Sequence, residues 1–456
     1  MGGDMLNAMK YISTVPFSGL FNWSVQYLND SKIAFSKAYP MVHIGEFLKR
    51  NKTAVTIQDG VKYKRVTIKV RNGGVVPRDE VMGENIGTKK QFLVSEGQFI
   101  LSKIDARNGA MGIIPAELDG AVVTQDFLPY DIDTIKVNPQ YFVLVCTTKQ
   151  FVEFCQSCSS GTTNRQRVDE VQFLNIKVPI PPLEVQNKLV KTYNDIMVFI
   201  KMEEMKAIDI DLKATVSVRN ALGVAPYPGH VEKKLVHYID YGAIDSWSVP
   251  QILHAENSPF GKSKFACKKL SDLAFINPKT DLSILSDTDN MSFIPMEDIS
   301  DDYGEWTGKR VGSKSNVKGY TKFQNGDIIW AKITPCMQNG KSTILTNLVN
   351  GKGYGSTEFH IIRIKSSDVL PQYIHTLLRH FDVLSDAKKY FTGSAGQQRV
   401  PTSYLENLLI PVPPLEVQKQ IADEYANGIE QAKQGYNKIA SYKQDLKKNF
   451  ETQIFE

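Results

Sequence analysis

The sequence has few of the features that mark a secreted or membrane-bound protein. Only five of its 456 residues are cysteine, and their odd number and scattered positions do not suggest a disulfide framework. No apolar run reaches the roughly 18 residues that a membrane-spanning helix needs, and the N-terminus lacks a signal-peptide pattern. We therefore expect a cytoplasmic protein with reduced thiols.

Recognisable catalytic motifs are also missing. Gly340-Lys341-Ser342 resembles the end of a phosphate-binding loop, but Pro335 stands where the first glycine of that loop would be. Cys155 and Cys158 have the spacing of a zinc-ligand pair without a second pair. We find no Asn/Asp-Pro-Pro-aromatic segment of an amino-methyltransferase and no nucleophile–base arrangement. The sequence therefore predicts a chain that is not an enzyme and that binds no metal or cofactor itself.

A duplication dominates what is present. Residues 179–186, Pro-Ile-Pro-Pro-Leu-Glu-Val-Gln, recur as Pro-Val-Pro-Pro-Leu-Glu-Val-Gln at residues 411–418, with seven of eight positions identical. Upstream segments match in the same order, including Pro139-Gln140-Tyr141 with Pro371-Gln372-Tyr373. The period is far longer than the about 20–50 residues of solenoids and propellers. The chain is therefore a tandem repeat of one domain-sized unit.

Each repeated segment leads into a long helical pattern. Pro182 and Pro414 suit the first turn of a helix, and Glu184 and Glu416 favour the positive end of its dipole. Apolar residues then recur every three or four positions without an internal proline, which favours coiled-coil-like helices over ordinary core helices. We expect about 35–40 residues, or about 55–60 Å, for each helix. The predicted helix-pair and subunit interface consists of Leu189, Tyr193, Ile196, Ile200, Ile421, Tyr425, Tyr436 and Ile439.

Short β-branched runs interrupted by Gly, Asn and Asp occupy residues of about 38–178 and 260–410. We interpret each region as a mixed α/β module with one strongly bent sheet. The predicted fold class is α+β, with two tandem mixed α/β modules separated by two long antiparallel helices and related by an approximate twofold axis. The predicted boundaries are 1–182 for the first module (including an N-terminal segment, 1–37), 183–222 for the first helix, 223–412 for the second module and 413–456 for the second helix.

Basic and amide side chains lie at parallel places in the two modules. The net charge is only +5, which is compatible with nucleic-acid binding without requiring it. Arg, Lys, Asn and Gln suit phosphates and base edges, although such a cluster can equally be a solvated face. The candidate contacts are Lys62, Lys64, Arg65, Lys103, Arg107 and Asn108 in the first module, and Lys309, Arg310, Lys332, Gln338, Asn339 and Lys341 in the second.

Glycine-rich segments precede both helices and leave two interpretations open. They contain Arg165 and Arg167 in the first copy and Gln398 and Arg399 in the second. Functionally, these side chains could contact the DNA backbone near the base of each helix. Structurally, the glycines could form a tight turn whose arginine pairs locally.

The repeated motifs resemble those of the specificity (S) subunits of type I restriction-modification systems. The resemblance rests on Gly-x-x-x-x-Gln-Arg-Val followed by Pro-x-Pro-Pro-Leu-Glu-x-Gln and a long helix, present twice, and it covers nearly the full length. It fits best through Gly393, Gln397, Gln398 and Arg399, whereas Thr163-Asn164-Arg165 departs from the pattern.

This resemblance implies a DNA-recognition subunit with two target recognition domains that read a bipartite, asymmetric duplex target. The implied partners are double-stranded DNA, two methyltransferase (M) subunits and restriction/translocase (R) subunits. S-adenosylmethionine, ATP and Mg²⁺ would be bound by those partners and not by this chain. The alternatives are a fused methyltransferase-nuclease, a scaffold for protein assembly, and a partnerless homologue without restriction activity.

Overall fold

The structure is a computed structural model that describes residues 39–157, 159–160, 167–225, 238, 258–394 and 397–456. These residues form two compact units. The first contains the residues up to Lys201 together with Ala440–Glu456, and the second is Met202–Ile439. Both long helices therefore contribute to both units. The predicted N-terminal segment, 1–37, lies outside the described residues.

The first module is built from thirteen strands and three short helices among the described residues. The strands are β1 (Met41–His43), β2 (Leu48–Arg50), β3 (Ala54–Thr56), β4 (Lys62–Ile68), β5 (Val75–Met82), β6 (Lys90–Leu93), β7 (Phe99–Ser102), β8 (Met111–Ile113), β9 (Val122–Val123), β10 (Phe127–Ile132), β11 (Ser159–Ser160), β12 (Arg167–Val168) and β13 (Lys177–Pro179). The helices are α1 (Pro139–Cys146), α2 (Lys149–Ser157) and α3 (Glu170–Leu174), and the first long helix, α4 (Leu183–Leu222), follows.

The second module repeats this order with fewer strands among the described residues. Its strands are β14 (Cys267–Lys269), β15 (Ala274–Ile276), β16 (Asn290–Ile294), β17 (Val311–Ser313), β18 (Thr321–Gln324), β19 (Ile328–Ala331), β20 (Ser342–Ile344), β21 (Lys352–Gly355), β22 (Phe359–Ile364) and β23 (Leu409–Pro411). Its helices are α5 (Leu270–Leu273), α6 (Pro371–Arg379), α7 (Phe381–Ala387) and α8 (Thr402–Asn407), followed by the second long helix, α9 (Leu415–Phe455).

Sheet topology shows that the duplication extends to the fold. One four-stranded sheet has the order β2-β10-β7-β8 in the first module and β15-β22-β19-β20 in the second. A second sheet has the order β3-β6-β9-β4-β5. Its counterpart is β18-β21-β16-β17, which has no equivalent of the edge strand β3 among the described residues. In both copies the strand before each long helix pairs with the first strand of the module, β13 with β1 and β23 with β14. Each module therefore has separate sheets where the sequence suggested one bent sheet.

Each unit has its own apolar core. In the first unit, aromatic side chains from the four-stranded sheet and the short helices pack together, as in the contact between Phe99 and Phe142, whose ring centroids are 4.9 Å apart. Phe450 and Ile454 of α9 belong to this same core. In the second unit, Trp330 lies fully buried beside α6, and its indole nitrogen donates to the carbonyl of Leu378. Burial of apolar residues of the long helices in these cores thus stabilises the packing of each module against the helices.

A buried glutamine explains why the repeated octapeptide ends as it does. The side-chain nitrogen of Gln186 donates to the carbonyls of Pro181 (2.7 Å) and Lys136 (3.1 Å), and its oxygen accepts from the Asn138 amide at 2.8 Å. In the second unit, Gln418 makes the same three bonds, to Pro413 (2.8 Å), Asp368 (2.7 Å) and Leu370 (2.9 Å). These bonds satisfy main-chain groups at the helix start and before α1 or α6, and so fix each long helix to its module.

The two long helices run antiparallel in both units. In the first unit, Tyr193 contacts Phe450, with ring centroids 6.1 Å apart, and Phe199 contacts Tyr442 at 5.4 Å. In the second unit, a Cβ atom on Gly428 would lie 2.6 Å from the Cβ of Ala214, and one on Gly435 would lie 3.2 Å from that of Ala207. Higher numbers on α9 thus pair with lower numbers on α4, and small residues seven positions apart allow a close approach.

The predicted fold class, an α+β chain with two similar modules and two long antiparallel helices, is confirmed. The two helices contain 40 and 41 residues, so each is about 60 Å long at 1.5 Å per residue. Helix α4 ends where Gly223 adopts a left-handed conformation, with φ of 65°. Its amide donates to the Asn220 carbonyl, as expected for a glycine that terminates a helix.

Candidate nucleic-acid interface

The predicted cations on strand β4 are already engaged within the protein. Arg65 forms two hydrogen bonds of 2.6 Å with the Asp79 carboxylate across the β4–β5 hairpin, and this contact lowers the pKa of Asp79. Lys62 lies 2.5 Å from Glu80 on the same hairpin. Lys64 donates to the main-chain carbonyl of Glu117 at 2.9 Å. These side chains stabilise the sheet, and a DNA phosphate would have to compete with their present partners.

The tip of this hairpin carries a further cation, which was not among the predicted contacts. Arg71 is exposed and has no acidic partner among the described residues, and its backbone is left-handed, with φ of 57°. Its amide donates to the Asn108 carbonyl at 2.6 Å, and the next amide, of Asn72, donates to Gly109 at 3.1 Å. The structure therefore brings Arg71 together with the predicted residues Arg107 and Asn108. Arg71 continues the run of basic residues that begins on β4, and that run was the signal for it.

Gly109 permits this contact between hairpin tip and loop. It has φ of 76°, and a Cβ atom on it would lie 2.4 Å from the side-chain oxygen of Asn72. Only glycine fits such an approach without displacement. The loop is also held on its other side, because the Gln156 amide donates to the Arg107 carbonyl at 3.4 Å. Arg71 and Asn108 are thus exposed on a fixed backbone.

Lys103 and Arg167 meet at the end of strand β7. The Lys103 carbonyl accepts from the Val168 amide at 2.9 Å, and Arg167 lies 3.3 Å from the Asp126 carboxylate. Arg165 lies outside the described residues.

The second module repeats this cluster with Lys332, Glu358 and Arg399. The Lys332 carbonyl accepts from Val400 at 2.9 Å, and Arg399 makes two 2.8 Å hydrogen bonds with Glu358. These bonds to Arg399 lower the pKa of Glu358, and Lys332 acts in the same direction. Gln398 is half-buried, and its carbonyl accepts from Thr334 at 2.9 Å. Both clusters match the local pairing that the sequence left open for these arginines, while Lys103 and Lys332 lie beside them half-exposed.

The remaining predicted residues of the second module lie on two neighbouring loops. Arg310 lies 2.5 Å from Glu297 and 3.2 Å from Asp298, whereas Lys309 is exposed. Lys341 lies 2.9 Å from Asp301, and the Asn339 amide donates to the same carboxylate at 3.4 Å. Gln338, which directly precedes Asn339 in the loop, is exposed.

The predicted helix-pair residues are divided between core and edge. Ile200, Ile421, Tyr425 and Ile439 are buried, whereas Leu189, Tyr193, Ile196 and Tyr436 are half-buried. The closest approach between the helices is made by small residues that were not predicted, Ala207, Ala214, Gly428 and Gly435. In the sequence, the seven-residue spacing of these small residues indicates a close helix contact. A prediction based on large apolar side chains does not include them.

The described part of the chain contains neither a candidate metal site nor a helix that could span a membrane. Within it, no three or more His, Cys, Asp or Glu side chains are grouped so that they could hold a metal ion. No helix there is long and apolar enough to cross a membrane.

Comparisons with known proteins agree with this architecture. A family model described as "Type I restriction modification DNA specificity domain" matches twice, at residues 36–210 and 262–431. The EcoEI specificity subunit of a type I restriction enzyme from Escherichia coli is 41% identical over 158 residues, which is 34% of this chain and 26% of that protein. The EcoAI specificity subunit, from the same organism, is 43% identical over 153 residues, or 33% and 26% of the two proteins. The match thus spans about a quarter of each curated relative.

A solved structure has the same fold. It comes from work on complex assembly and conformational transition of a type I R-M system, and it covers 91% of this chain and 97% of its own. Its TM-score is 0.54 and its sequence identity is 14%, so the likeness concerns the fold alone.

Proposed function

Because this chain belongs to the family of type I restriction-modification DNA specificity domains, we propose that it is the DNA-reading subunit of a type I restriction-modification complex. In this proposal the two modules are target recognition domains, each of which reads one half of a bipartite duplex sequence. The long helices hold them and set the unread spacer. Two methyltransferase subunits and the restriction/translocase subunits assemble on this chain in the cytoplasm.

The observation that carries the proposal is the duplicated topology with divergent exposed side chains. Both modules have the same strand order in two sheets. The hairpin loop of the first, residues 69–74, carries Lys69 and Arg71. The corresponding loop of the second, residues 295–310, is longer and contains five acidic residues as well as Lys309 and Arg310. A protein that binds two identical half-sites would keep the same polar groups in both copies. Two different loop sets on one framework favour an asymmetric target.

The proposal assigns no chemical step to this chain. S-adenosylmethionine, ATP and Mg²⁺ would be held by the partner subunits. The chain contributes recognition of the DNA target. Its phosphate contacts give affinity, and its base contacts give sequence preference.

A binding experiment with two matched variants tests this proposal. Duplex affinity of the purified chain with its methyltransferase partner is measured at several salt concentrations. Affinity should fall linearly in log–log form as counterions are released, and Arg71→Gln should reduce the salt slope by about 1. Arg65→Gln, on the same hairpin but paired with Asp79, should change the slope less. Affinity that does not depend on salt or sequence would reject the proposal in favour of a scaffold for protein assembly.

A further inference from the structure

One arginine in the second module ties together two loops that differ from their first-module counterparts. Arg379 is the last residue of α6, and its guanidinium donates to the main-chain carbonyls of Gly340 at 2.5 Å, Asp302 at 2.7 Å and Asp301 at 3.4 Å. Gly340 belongs to the loop 335–341, and Asp301 and Asp302 belong to the hairpin loop 295–310. Because three carbonyls of two loops accept from one side chain, Arg379 fixes the loops relative to each other.

Two glycines adapt these loops to the arginine. Gly304 has φ of 67°, and a Cβ atom on it would lie 2.9 Å from the side chain of Arg379. Gly340 has φ of 73°, and a Cβ on it would lie 3.7 Å from the same guanidinium. Both loops therefore turn in left-handed conformations around Arg379. The Asp301 carboxylate adds a second link between the loops through Lys341.

The arginine also faces the long helices within the second unit. The charge of Arg379 acts on Asp211 of α4, whose pKa is raised by burial and lowered in part by the guanidinium. The Tyr425 phenol of α9 also interacts with this guanidinium. The Arg379 side chain therefore interacts with both long helices as well as with the two loops.

Among its described residues, the first module has no equivalent of this arginine and its bonds to two loops. Thr147 occupies the position that corresponds to Arg379 in the repeat, 232 residues earlier, and its hydroxyl donates to the Leu144 carbonyl of its own helix. The loop 106–109 is held instead by main-chain bonds from Arg71 and Asn72. The duplicated framework thus uses two different means to fix its loops.

We propose that Arg379 is a positioning residue that fixes the loop 335–341, from which the exposed Gln338 amide reads a base edge of the second half-site. The inference rests on the proposed function and deepens it. Amide side chains pair with the N6 and N7 edge of adenine in the major groove, and such pairing requires a fixed backbone. Sequence discrimination at one half-site should therefore depend on a residue that itself contacts no base.

The test compares Arg379→Leu with Gln338→Ala, and uses Thr147→Ala as the matched change in the first module. Each chain is assembled with the methyltransferase partner, and modification is measured on duplexes with single base changes in either half-site. Arg379→Leu should lower discrimination at the base positions affected by Gln338→Ala, by about 5- to 150-fold, as expected for loss of one good base contact. The first half-site should be unaffected, and Thr147→Ala should alter neither half.

Three outcomes would overturn the inference. They are unchanged discrimination in a folded Arg379→Leu complex, an equal loss at both half-sites, and a loss at base positions insensitive to Gln338→Ala. If Arg379→Leu does not fold, Arg379→Lys replaces it, because one ammonium group cannot reproduce the planar fork that reaches three carbonyls. Wild-type discrimination in folded Arg379→Lys would then refute the positioning role. A wild-type complex that binds no duplex at all would reject the proposed function instead.

Discussion

Gln418 is a fully buried side chain whose amide joins three main-chain groups at the start of α9. Gln418→Ala leaves the Leu370 amide and the Asp368 and Pro413 carbonyls without this partner. We expect the free energy of unfolding to fall by about 1–3 kcal/mol, the usual cost of a buried unsatisfied polar group. Urea unfolding provides the measurement.

Gln420 supplies the control, because it lies two residues further along the same helix and is exposed, bonding only Glu424 among the described residues. Gln420→Ala should change stability by less than about 0.5 kcal/mol. Equal effects of the two substitutions would contradict the role assigned to Gln418.

The Arg399–Glu358 pair predicts a pH dependence. Because Arg399 lowers the pKa of Glu358 in the folded state, the pair contributes stability above the unfolded carboxyl pKa of about 4.3. That contribution is lost as pH falls through the lower folded pKa. The destabilisation caused by Arg399→Gln should therefore be full at neutral pH and shrink below about pH 4, as measured by thermal unfolding across pH. A destabilisation that does not change between pH 7 and pH 3 would contradict the pairing.

The same pair separates the two interpretations of the glycine-rich segment. Glu358→Gln removes the partner but leaves the Arg399 cation available. If Arg399 only pairs locally, Glu358→Gln and Arg399→Gln should both leave duplex affinity unchanged. Weaker binding by Arg399→Gln alone would show that this arginine contacts DNA.

Among the helices, a substitution at Gly428 has two opposing effects on stability, one through the helix propensity of the residue and one through the packing of α9 against α4. In an isolated helix, alanine is more favourable than glycine by about 1 kcal/mol. In this protein, however, the Cβ of an alanine at position 428 would lie 2.6 Å from the Cβ of Ala214. Carbon atoms pack at about 3.5–4.0 Å, so the helices must separate, at an overpacking cost of about 1–3 kcal/mol. Gly428→Ala should therefore destabilise the second unit, by up to about 2 kcal/mol, in thermal or urea unfolding.

Asn427 is the matched position, because it is exposed and adjacent on the same helix. Asn427→Ala should be neutral or stabilising, and Ala214→Gly should partly restore Gly428→Ala. Stabilisation by Gly428→Ala equal to that by Asn427→Ala would mean that the helices do not meet at this point.

The sequence predicted these helices and modules better than it predicted the loops. Helical periodicity and proline at each helix start are local signals, and the 232-residue repeat can be read directly from the sequence. Together they indicate two duplicated modules, each followed by a long helix. Whether Arg65 is available to bind a DNA phosphate depends on Asp79, which lies 14 residues away on the neighbouring strand. The link from Arg379 to Gly340 spans 39 residues. Such pairings follow from tertiary structure, which no periodicity encodes.

At the scale of the whole molecule, helix length should set the spacing of the half-sites. Removing one heptad from both α4 and α9 shortens each helix by about 10.5 Å, which equals about 3 base pairs of B-DNA. We expect the modified target to keep both half-sites and to lose about 3 base pairs of spacer. Shuffling exposed charged residues within one heptad of each helix keeps the length and should leave the spacer unchanged. An unaltered spacer in the shortened chain would refute the helices as a ruler.

The most direct test is to co-express the chain with its methyltransferase partner and map modified bases across a host genome. We expect one bipartite, asymmetric motif with a fixed spacer, and no modification when the chain is omitted. Exchange of residues 38–178 for another module should change only one half of that motif. A single continuous motif, a palindrome with identical halves, or modification without sequence preference would contradict the claim that two different reading modules act from one chain.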